Sequence, residues 1–292
     1  MKLLMFGANG QAGSSLRKLC EGRRIEIDGP PRSELDVRDS QAVADRIRAV
    51  RPDWVVNFSA FHVLGACEDD FAQAMAVNAM AVHDMAVAAR AADARFLTVS
   101  TDYVFDGRQA GPWQEDDEAR PLQAYGVSKR AGELAALAAA PDRTFVVRTC
   151  GLYGLIGSRE RGGNFIDKRL VEARTSQTIE VGSDIVCTPT SADAFAAAVL
   201  DLFEAAGPPP GIYHFTADGA CSWAEFAAEA FARLGLTCRV VPVDRKGDYG
   251  GIRRPANSVL ANTRGRTLGI TLPHWKSDLA DYLRKREARA CV

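Results

Sequence analysis

The chain has 292 residues, of which 47% are hydrophobic and 25% are charged, with a formal net charge of −1. This composition predicts a globular protein with one large α/β domain, or a domain with an additional lobe. It argues against a nucleic-acid or membrane partner, because the charge offers no attracting field, no apolar run approaches a span of about 20 residues, and no secretory signal is visible.

The first predicted element is a short buried strand over residues 2–6, which runs directly into a glycine loop and a helix. Gly7, Gly10 and Gly13 give the spacing G-x-x-G-x-x-G. Such a loop lets backbone N–H groups approach a pyrophosphate, and the helix N-terminus adds a partial positive charge. The loop therefore predicts a dinucleotide site, with an ordinary glycine turn as the alternative.

The residues that would select the cofactor follow the second predicted strand, residues 24–27. Asp28 could accept a hydrogen bond from a ribose hydroxyl, as in NADH binding, whereas Arg32 could pair with the 2′-phosphate of NADPH. Asp36 and Val37 could contact the adenine. These residues favour NADPH and leave NADH open; ordinary solvated charges are the alternative.

Helical and strand patterns alternate through the rest of the chain. This alternation predicts an α/β fold whose parallel sheet is covered by helices on both faces, with residues 1–150 binding the dinucleotide. Residues 151–292 are predicted to form mainly a smaller C-terminal substrate-binding lobe, with some segments returning to the first domain. Helices are predicted over residues 40–51, 71–92, 125–139, 191–206 and 223–234, and strands over residues 54–59, 95–100, 144–149, 179–181 and 211–215.

A group with the chemistry of ketone reduction follows the strand at 95–100. Ser100 and Thr101 end this strand, and Tyr125 and Lys129 share one face of a later helix because they are four residues apart. A phenol has a pKa near 10, and a neighbouring ammonium lowers it. Tyr125 could then give a proton to a ketone oxygen that the Thr101 hydroxyl holds, while Lys129 bonds the nicotinamide ribose. Purely structural roles are the alternative.

Several further stretches extend this pattern over essentially the whole chain. They are GANGQAG at 7–13, STDYVFDG at 100–107, YGVSK at 125–129, RTCGLYG at 148–154, PT at 189–190, GIYHFTADGACSW at 211–223, RPANSVL at 254–260 and TLGITLPHW at 267–275. In these stretches the chain resembles the dTDP-4-dehydrorhamnose reductase family of extended short-chain dehydrogenase/reductases. The resemblance implies a Rossmann-like domain for NAD(P)H and a lobe for a nucleotide-sugar. It also implies the reaction, which is NAD(P)H-dependent reduction of the 4-keto group of a nucleotide-activated 4-keto-6-deoxyhexose, with dTDP as the expected nucleotide.

The resemblance also implies roles for single residues. It assigns catalysis to Thr101, Tyr125 and Lys129. The residues implied to contact the cofactor are Gly7, Asn9, Gly10, Gln11, Gly13, Ser59, Ala60, Phe61 and Ser100, with Asn78 supporting the wall. The residues implied to contact the substrate are Thr101, Tyr103, Val104, Asn164, Trp223 and Arg254. Arg254 would suit a diphosphate, which favours a guanidinium fork. Alternatively, Arg254 is an ordinary surface arginine and Trp223 is a residue of the core.

The chain departs from the family pattern where substrate and metal would sit. Ser14 and Ser15 stand where members often carry a Glu that is linked to magnesium in some of them, so no metal is predicted; the scattered cysteines and histidines show no zinc spacing either. Gly65 and Gly151 replace an Asp and a Trp, and Gly151 is expected to open room for a bulkier sugar.

Other functions and settings stay open from the sequence. One is a non-catalytic nucleotide-binding subunit similar to the β subunit of methionine adenosyltransferase, and another is a nucleotide-sugar epimerase or dehydratase of the same superfamily. Seven cysteines without a C-x-x-C pair predict reduced thiols in a cytoplasmic protein. A homodimer is compatible with the resemblance.

Overall fold

A six-stranded parallel sheet forms the centre of this computed structural model, which describes residues 1–157 and 162–290. The strands of the chain are β1 (Lys2–Phe6), β2 (Glu26–Asp28), β3 (Trp54–Asn57), β4 (Arg95–Thr101), β5 (Thr144–Thr149), β6 (Thr178–Gly182), β7 (Val186–Cys187), β8 (Gly211–His214), β9 (Cys221–Ser222) and β10 (Arg239–Val243). The central sheet has the order β2-β1-β3-β4-β5-β8, with all neighbours parallel. The predicted parallel α/β fold is confirmed.

The helices lie between these strands. They are α1 (Gln11–Cys20), α2 (Ser40–Val50), α3 (Leu64–Asp69), α4 (Phe71–Met75), α5 (Ala81–Ala91), α6 (Ala124–Ala139), α7 (Phe165–Ala173), α8 (Ala192–Glu204), α9 (Trp223–Arg233), α10 (Thr263–Thr267) and α11 (Trp275–Ala290). A π-helical turn, Ala76–Met80, joins α4 to α5, so the single helix predicted over 71–92 is interrupted. Such turns are frequent at functional sites.

The sheet is buried on both faces because alternate side chains of each strand point to opposite sides. In β1, Leu3 and Met5 pack in the cluster that contains Leu16 of α1 and Phe195 of α8. Leu4 and Phe6 pack in the opposite cluster, beneath α2, α5 and α6. Both faces therefore have a continuous apolar core, as the unbroken apolar runs of the strands predict.

Residues after β5 build a second body and also return to the sheet. A separate core gathers Tyr153, Ile166, Phe226 and Trp275, next to a parallel pair of β6 with β10 and an antiparallel pair of β7 with β9. β10 was not predicted, because its side chains are mostly exposed and show no alternation. In contrast, β8 pairs with β5 as the sixth strand, and α8 packs against α1.

Candidate active site

A cavity of about 1110 Å³ lies at the carboxyl ends of the central strands. The parallel strands all end at this edge of the sheet, and β2 and β3, the next two strands along the chain, lie on opposite sides of β1. Ligands of such sheets bind at the position where the strand order reverses in this way. The loops after β1, β3, β4 and β5 form one wall, and residues of the second body, among them Phe165, Trp223 and Arg254, form the other.

The glycine loop after β1 packs against the backbone that follows β3. Gly7 has φ +77°, and a Cβ at this position would lie 2.7 Å from the carbonyl carbon of Phe58. The Gly10 N–H donates to the Gly7 carbonyl at 3.0 Å, and Gly10 begins α1 without a side-chain cap. The first amides of α1 are therefore available for an anionic ligand.

Four of the five predicted loop residues line the cavity, and Gly13 does not. Asn9, Gly10 and Gln11 line the cavity, and Gln11 Oε1 is a buried oxygen without a hydrogen-bond partner. Gly13 does not line it: a Cβ there would lie 2.4 Å from the Gly7 carbonyl oxygen. The prediction that Gly13 contacts a pyrophosphate is therefore wrong. The absence of a side chain at Gly13 instead allows α1 to pack closely on the loop.

Ser59, Ala60 and Phe61 form the wall that follows β3. Asn78, in the π-helical turn, lies behind this wall and is 1% exposed. Its Oδ1 accepts from the Phe61 N–H at 2.9 Å, and its Nδ2 donates to the Phe61 carbonyl at 2.8 Å and to Ser128 Oγ at 3.0 Å. Asn78 thus supports the wall, as predicted, and does not itself line the cavity.

The two candidate selectivity residues lie in different places. Both Asp28 carboxylate oxygens accept hydrogen bonds from Arg46, each at 2.7 Å, and Asp28 is not on the cavity wall. Its predicted role toward a ribose hydroxyl is therefore contradicted. Arg32 does line the cavity and is 71% exposed, 3.8 Å from Asp36. A hydrogen bond from Arg38 lowers the pKa of Asp36 to about 2, so Asp36 is ionised.

Ser100, Thr101 and Tyr125 all line the cavity. Tyr125 lies in the first turn of α6, and its ring packs edge-on against that of Tyr103 at 6.5 Å between centroids. Lys129 lies one turn later and is 4% exposed, next to this wall and not on it. Burial lowers the pKa of Lys129 to about 8, although the Glu133 carboxylate opposes this change.

A buried ionic group lies beyond Lys129. The Arg148 guanidinium donates two hydrogen bonds to Glu133, both at 2.8 Å, and each side chain is 1% exposed. Burial raises the pKa of Glu133, but Arg148 outweighs it and holds the carboxyl below its usual range. His214 is fully buried and its Nδ1 lies 3.1 Å from the Trp113 carbonyl, so it is a core histidine with a hydrogen-bond partner.

The predicted substrate residues divide between wall and core. Tyr103 lines the cavity, whereas Val104 is fully buried in a cluster with Phe105 and Trp113 and cannot contact a ligand there. Asn164 reaches the wall but has a structural task. Its Oδ1 caps α7, and its Nδ2 donates to the Gly154 carbonyl and Tyr282 Oη, both at 2.9 Å.

The space expected beside Gly151 is already filled. A Cβ at Gly151 would lie 2.9 Å from Trp223 Cη2, so the indole of Trp223 covers this position. Trp223 also packs on Phe165 at 4.6 Å between ring centroids and lines the cavity. Trp223 is thus both core and wall, and the expectation of room for a bulkier sugar at Gly151 is wrong.

A second part of the cavity wall, the arginine end, is lined by arginines of the second body. Arg254 lies with its guanidinium carbon 4.3 Å from the centre of the Tyr249 ring, and Arg169 lies similarly over Phe165 at 5.7 Å. The Nε atoms of both arginines are buried without a hydrogen-bond partner. The sequence pointed to Arg254 only, because no motif links Arg169, Arg245 and Tyr249, which are far apart along the chain.

Ser15, in the segment where related proteins can carry a metal-linked Glu, is hydrogen-bonded to an ion pair. Ser15 Oγ donates to Asp193 at 2.7 Å, and Lys285 Nζ lies 2.7 Å from the same carboxylate. Across residues 1–157 and 162–290, no group of three His, Cys, Asp or Glu side chains could hold a metal ion. In the same part of the chain, no helix combines the length and apolarity needed to cross a bilayer.

Comparisons with known proteins agree over nearly the full length. The profile of the RmlD substrate binding domain family matches residues 1–288. A dTDP-4-dehydrorhamnose reductase of Streptomyces griseus is 37% identical over 283 residues, which cover 95% of this chain and 91% of that protein. The spore coat polysaccharide biosynthesis protein SpsK of Bacillus subtilis is 34% identical over 291 residues, which cover 99% of each.

Solved structures show the same architecture. A dTDP-4-dehydrorhamnose reductase of Clostridium acetobutylicum superposes with a TM-score of 0.92 at 33% identity, covering 98% of this chain and 100% of that one. The enzyme of that name from Bacillus anthracis, solved in complex with NADP, superposes with a TM-score of 0.91 at 27% identity, covering 97% and 99%. The likeness therefore includes both the sheet and the second body.

Proposed function

This chain belongs to the dTDP-4-dehydrorhamnose reductase family, and we propose that it reduces the 4-keto group of a dTDP-linked 4-keto-6-deoxyhexose in deoxysugar biosynthesis. The observation that carries the proposal is the cavity itself. Thr101 and Tyr125 line the same cavity as the uncapped start of α1 and as Arg169 and Arg254. A ketone held between two anion-binding ends would meet both hydroxyls.

The residues at one end fit a nicotinamide dinucleotide. The close packing of Gly7, the uncapped amides of α1 and the unpartnered Gln11 Oε1 are all suited to a pyrophosphate and its riboses. When bound, the reduced nicotinamide supplies the hydride. NADPH is the preferred cofactor in this proposal, because the exposed Arg32 lines the cavity and can approach a 2′-phosphate, whereas Arg46 occupies the Asp28 carboxylate.

Tyr125 delivers the proton to the sugar oxygen. An ordinary phenol gives up its proton reluctantly near neutral pH. Lys129, which is buried one turn away in α6, remains largely charged at pH 7 with a pKa of about 8. Its ammonium stabilises the phenolate that forms on Tyr125, and in this low-dielectric position the effect is stronger than in water. Thr101 holds the ketone oxygen as the negative charge develops.

The arginines bind the diphosphate of the substrate. Arg169 and Arg254 each have a buried Nε donor without a partner, and such donors are destabilising until a ligand satisfies them. Arg254 is held flat on Tyr249, whose hydroxyl donates to Asp184 at 2.8 Å. The stacked, planar guanidinium is pre-organised for phosphate oxygens.

The test is product analysis by NMR after incubation with dTDP-4-keto-6-deoxyhexoses and either NADPH or NADH. We expect stoichiometric oxidation of the cofactor and a new C4 carbinol. Tight cofactor binding without turnover over the panel would instead support a regulatory subunit. Product formation without net cofactor oxidation would support an epimerase or dehydratase.

We also propose a homodimer and a cytoplasmic location. Met80, Val87, Val127 and Leu134 are 60%, 46%, 39% and 53% exposed. Met80, at the end of the π-helical turn, lies seven residues before Val87 of α5, and Val127 lies seven residues before Leu134 of α6, which contacts α5. We infer that these four side chains form one apolar stripe. Leu134→Glu should halve the mass in solution by light scattering, whereas Val171→Glu, at an exposed position of α7, should not.

Free thiols at the six described cysteines support the proposed location in a reducing compartment.

A further inference from the structure

The Thr101 hydroxyl has one proton, and both the Asp102 carboxyl and a bound ketone oxygen would compete for it. Thr101 Oγ1 accepts from the Tyr103 N–H at 3.2 Å and lies 3.0 Å from Asp102 Oδ1. If the Asp102 carboxyl is ionised, it can only accept, so the Thr101 proton points to it. Thr101 then presents a lone pair to the cavity, which repels a developing alkoxide.

The surroundings of Asp102 favour the other protonation state. Asp102 is 4% exposed on the cavity wall, and no ion pair to it exists among the residues that the structure describes. Burial raises the pKa of Asp102, while the neutral Ser258, Cys150 and Thr101 groups that face it lower the pKa only in part. Burial also raises the pKa of Tyr103, which is therefore neutral. The charged Arg254 acts on Tyr103, but it forms no ion pair with Asp102 among the residues that the structure describes. A carboxyl without a cation in such a site keeps its proton.

We propose that Asp102 is a positioning residue that, as a neutral acid, donates its proton to Thr101 Oγ1 and so turns the Thr101 hydroxyl toward the ketone oxygen. Thr101 then accepts twice, from the Tyr103 N–H and from Asp102, and its own proton is free for the substrate. This inference rests on the proposed reduction for its purpose, but the protonation of Asp102 can be measured without any substrate.

The first experiment is difference infrared spectroscopy of the substrate-free protein, wild type minus Asp102→Asn, at pH 7. We expect the carbonyl band of a protonated carboxylic acid, which shifts in D₂O and is lost as the pH rises. In Ser258→Ala, which removes one neutral donor and leaves Asp102 intact, the band should persist to higher pH. Carboxylate bands alone at pH 7, in either protein, would overturn the proposal.

The second experiment compares kcat and KM of Asp102→Asn and Asp102→Leu with a 4-keto sugar. The Asn amide can still donate to Thr101, so its kcat at pH 7 should stay within about threefold of wild type, and the alkaline limb of its pH profile should move upward. Leu cannot donate, so kcat should fall by about 10²-fold or more with little change in KM, the usual effect of a misdirected oxyanion donor.

Asp278→Asn is the matched control, because Asp278 is also buried, at 5% exposure, and bonds Ser191 away from the cavity. Its pH profile should equal that of wild type. Equal losses of kcat in the Asn and Leu variants would overturn the role of Asp102. If the wild type reduces no 4-keto sugar, the proposed function fails, whereas the infrared band still reports on Asp102.

Discussion

The two ends of the cavity are built from different materials. The glycine-loop end is made largely of backbone, where the sheet fixes Gly7 against Phe58 and the first amides of α1 point outward. The arginine end is made of long side chains, stacked on Tyr249 and Phe165 from segments far apart in the chain. Substitutions change a backbone-built site little, whereas a site built from side chains changes with each residue that is replaced. The cofactor end is therefore expected to be fixed and the sugar end adaptable.

The largest expected effect lies between the two ends. Tyr125→Phe removes the proton donor and keeps the ring that packs on Tyr103, so turnover should fall about 10²–10⁴-fold. Both binding ends should be unaffected, with unchanged Kd for NADPH and for dTDP by calorimetry. Near-normal NADPH oxidation by this variant would remove Tyr125 from the mechanism.

Changing the arginine end should weaken substrate binding and spare the chemistry. Arg254→Gln removes a charged donor worth about 1.5–3 kcal/mol to a phosphate, so KM for the sugar nucleotide should rise about 10- to 100-fold with kcat within a few-fold. Arg253→Gln is the matched control, because Arg253 is exposed and off the cavity wall. Equal effects of the two substitutions would mean that only net charge matters.

The buried group of Arg148, Glu133 and His214 should make the free energy of unfolding depend on pH. Burial, together with Arg148, lowers the pKa of His214 to about 3 in the folded state. The unfolded state, with an ordinary pKa near 6.5, binds more protons between these values, so stability is complete above pH 6.5 and is lost as the pH falls. From pH 6.5 to pH 5 the loss from His214 is about 2 kcal/mol.

Urea unfolding at pH 5, 6 and 7 measures this slope. His214→Gln should flatten it, whatever its effect on stability at pH 7. His83→Gln, at a half-exposed histidine of α5, should leave the slope unchanged. An equal slope in all three proteins would contradict a neutral buried His214.

The smallest effect is expected at the rim of the fixed end. Arg32→Ala should reduce the preference for NADPH over NADH about tenfold, the equivalent of one exposed charge-assisted hydrogen bond. Asp28→Asn should leave this preference unchanged, because Arg46 already occupies that carboxylate. A gain in NADH use in Asp28→Asn larger than that in Arg32→Ala would reverse this assignment.

The same contrast explains what the sequence could predict. Spacing along one segment reveals the glycine loop, the pair of Tyr125 and Lys129, and the strand-helix alternation, since these depend on local geometry. Side chains that meet across the fold are not visible in this way. The pairing of Asp28 with Arg46, the core position of Val104 and the cover that Trp223 gives Gly151 all required the three-dimensional structure. The helix break at Asn78 likewise reflects its contacts with Phe61 across the wall.

The sixth strand has a consequence for how the chain acquires its shape. β8 covers the outer edge of β5, and α8 covers the same sheet face as α1, although both follow more than forty residues of the second body. A fragment that stops at residue 150 would leave β5 as an apolar, unprotected edge. We expect the nascent chain to depend on its late residues, so that the nucleotide-binding half matures only after residue 214 has left the ribosome.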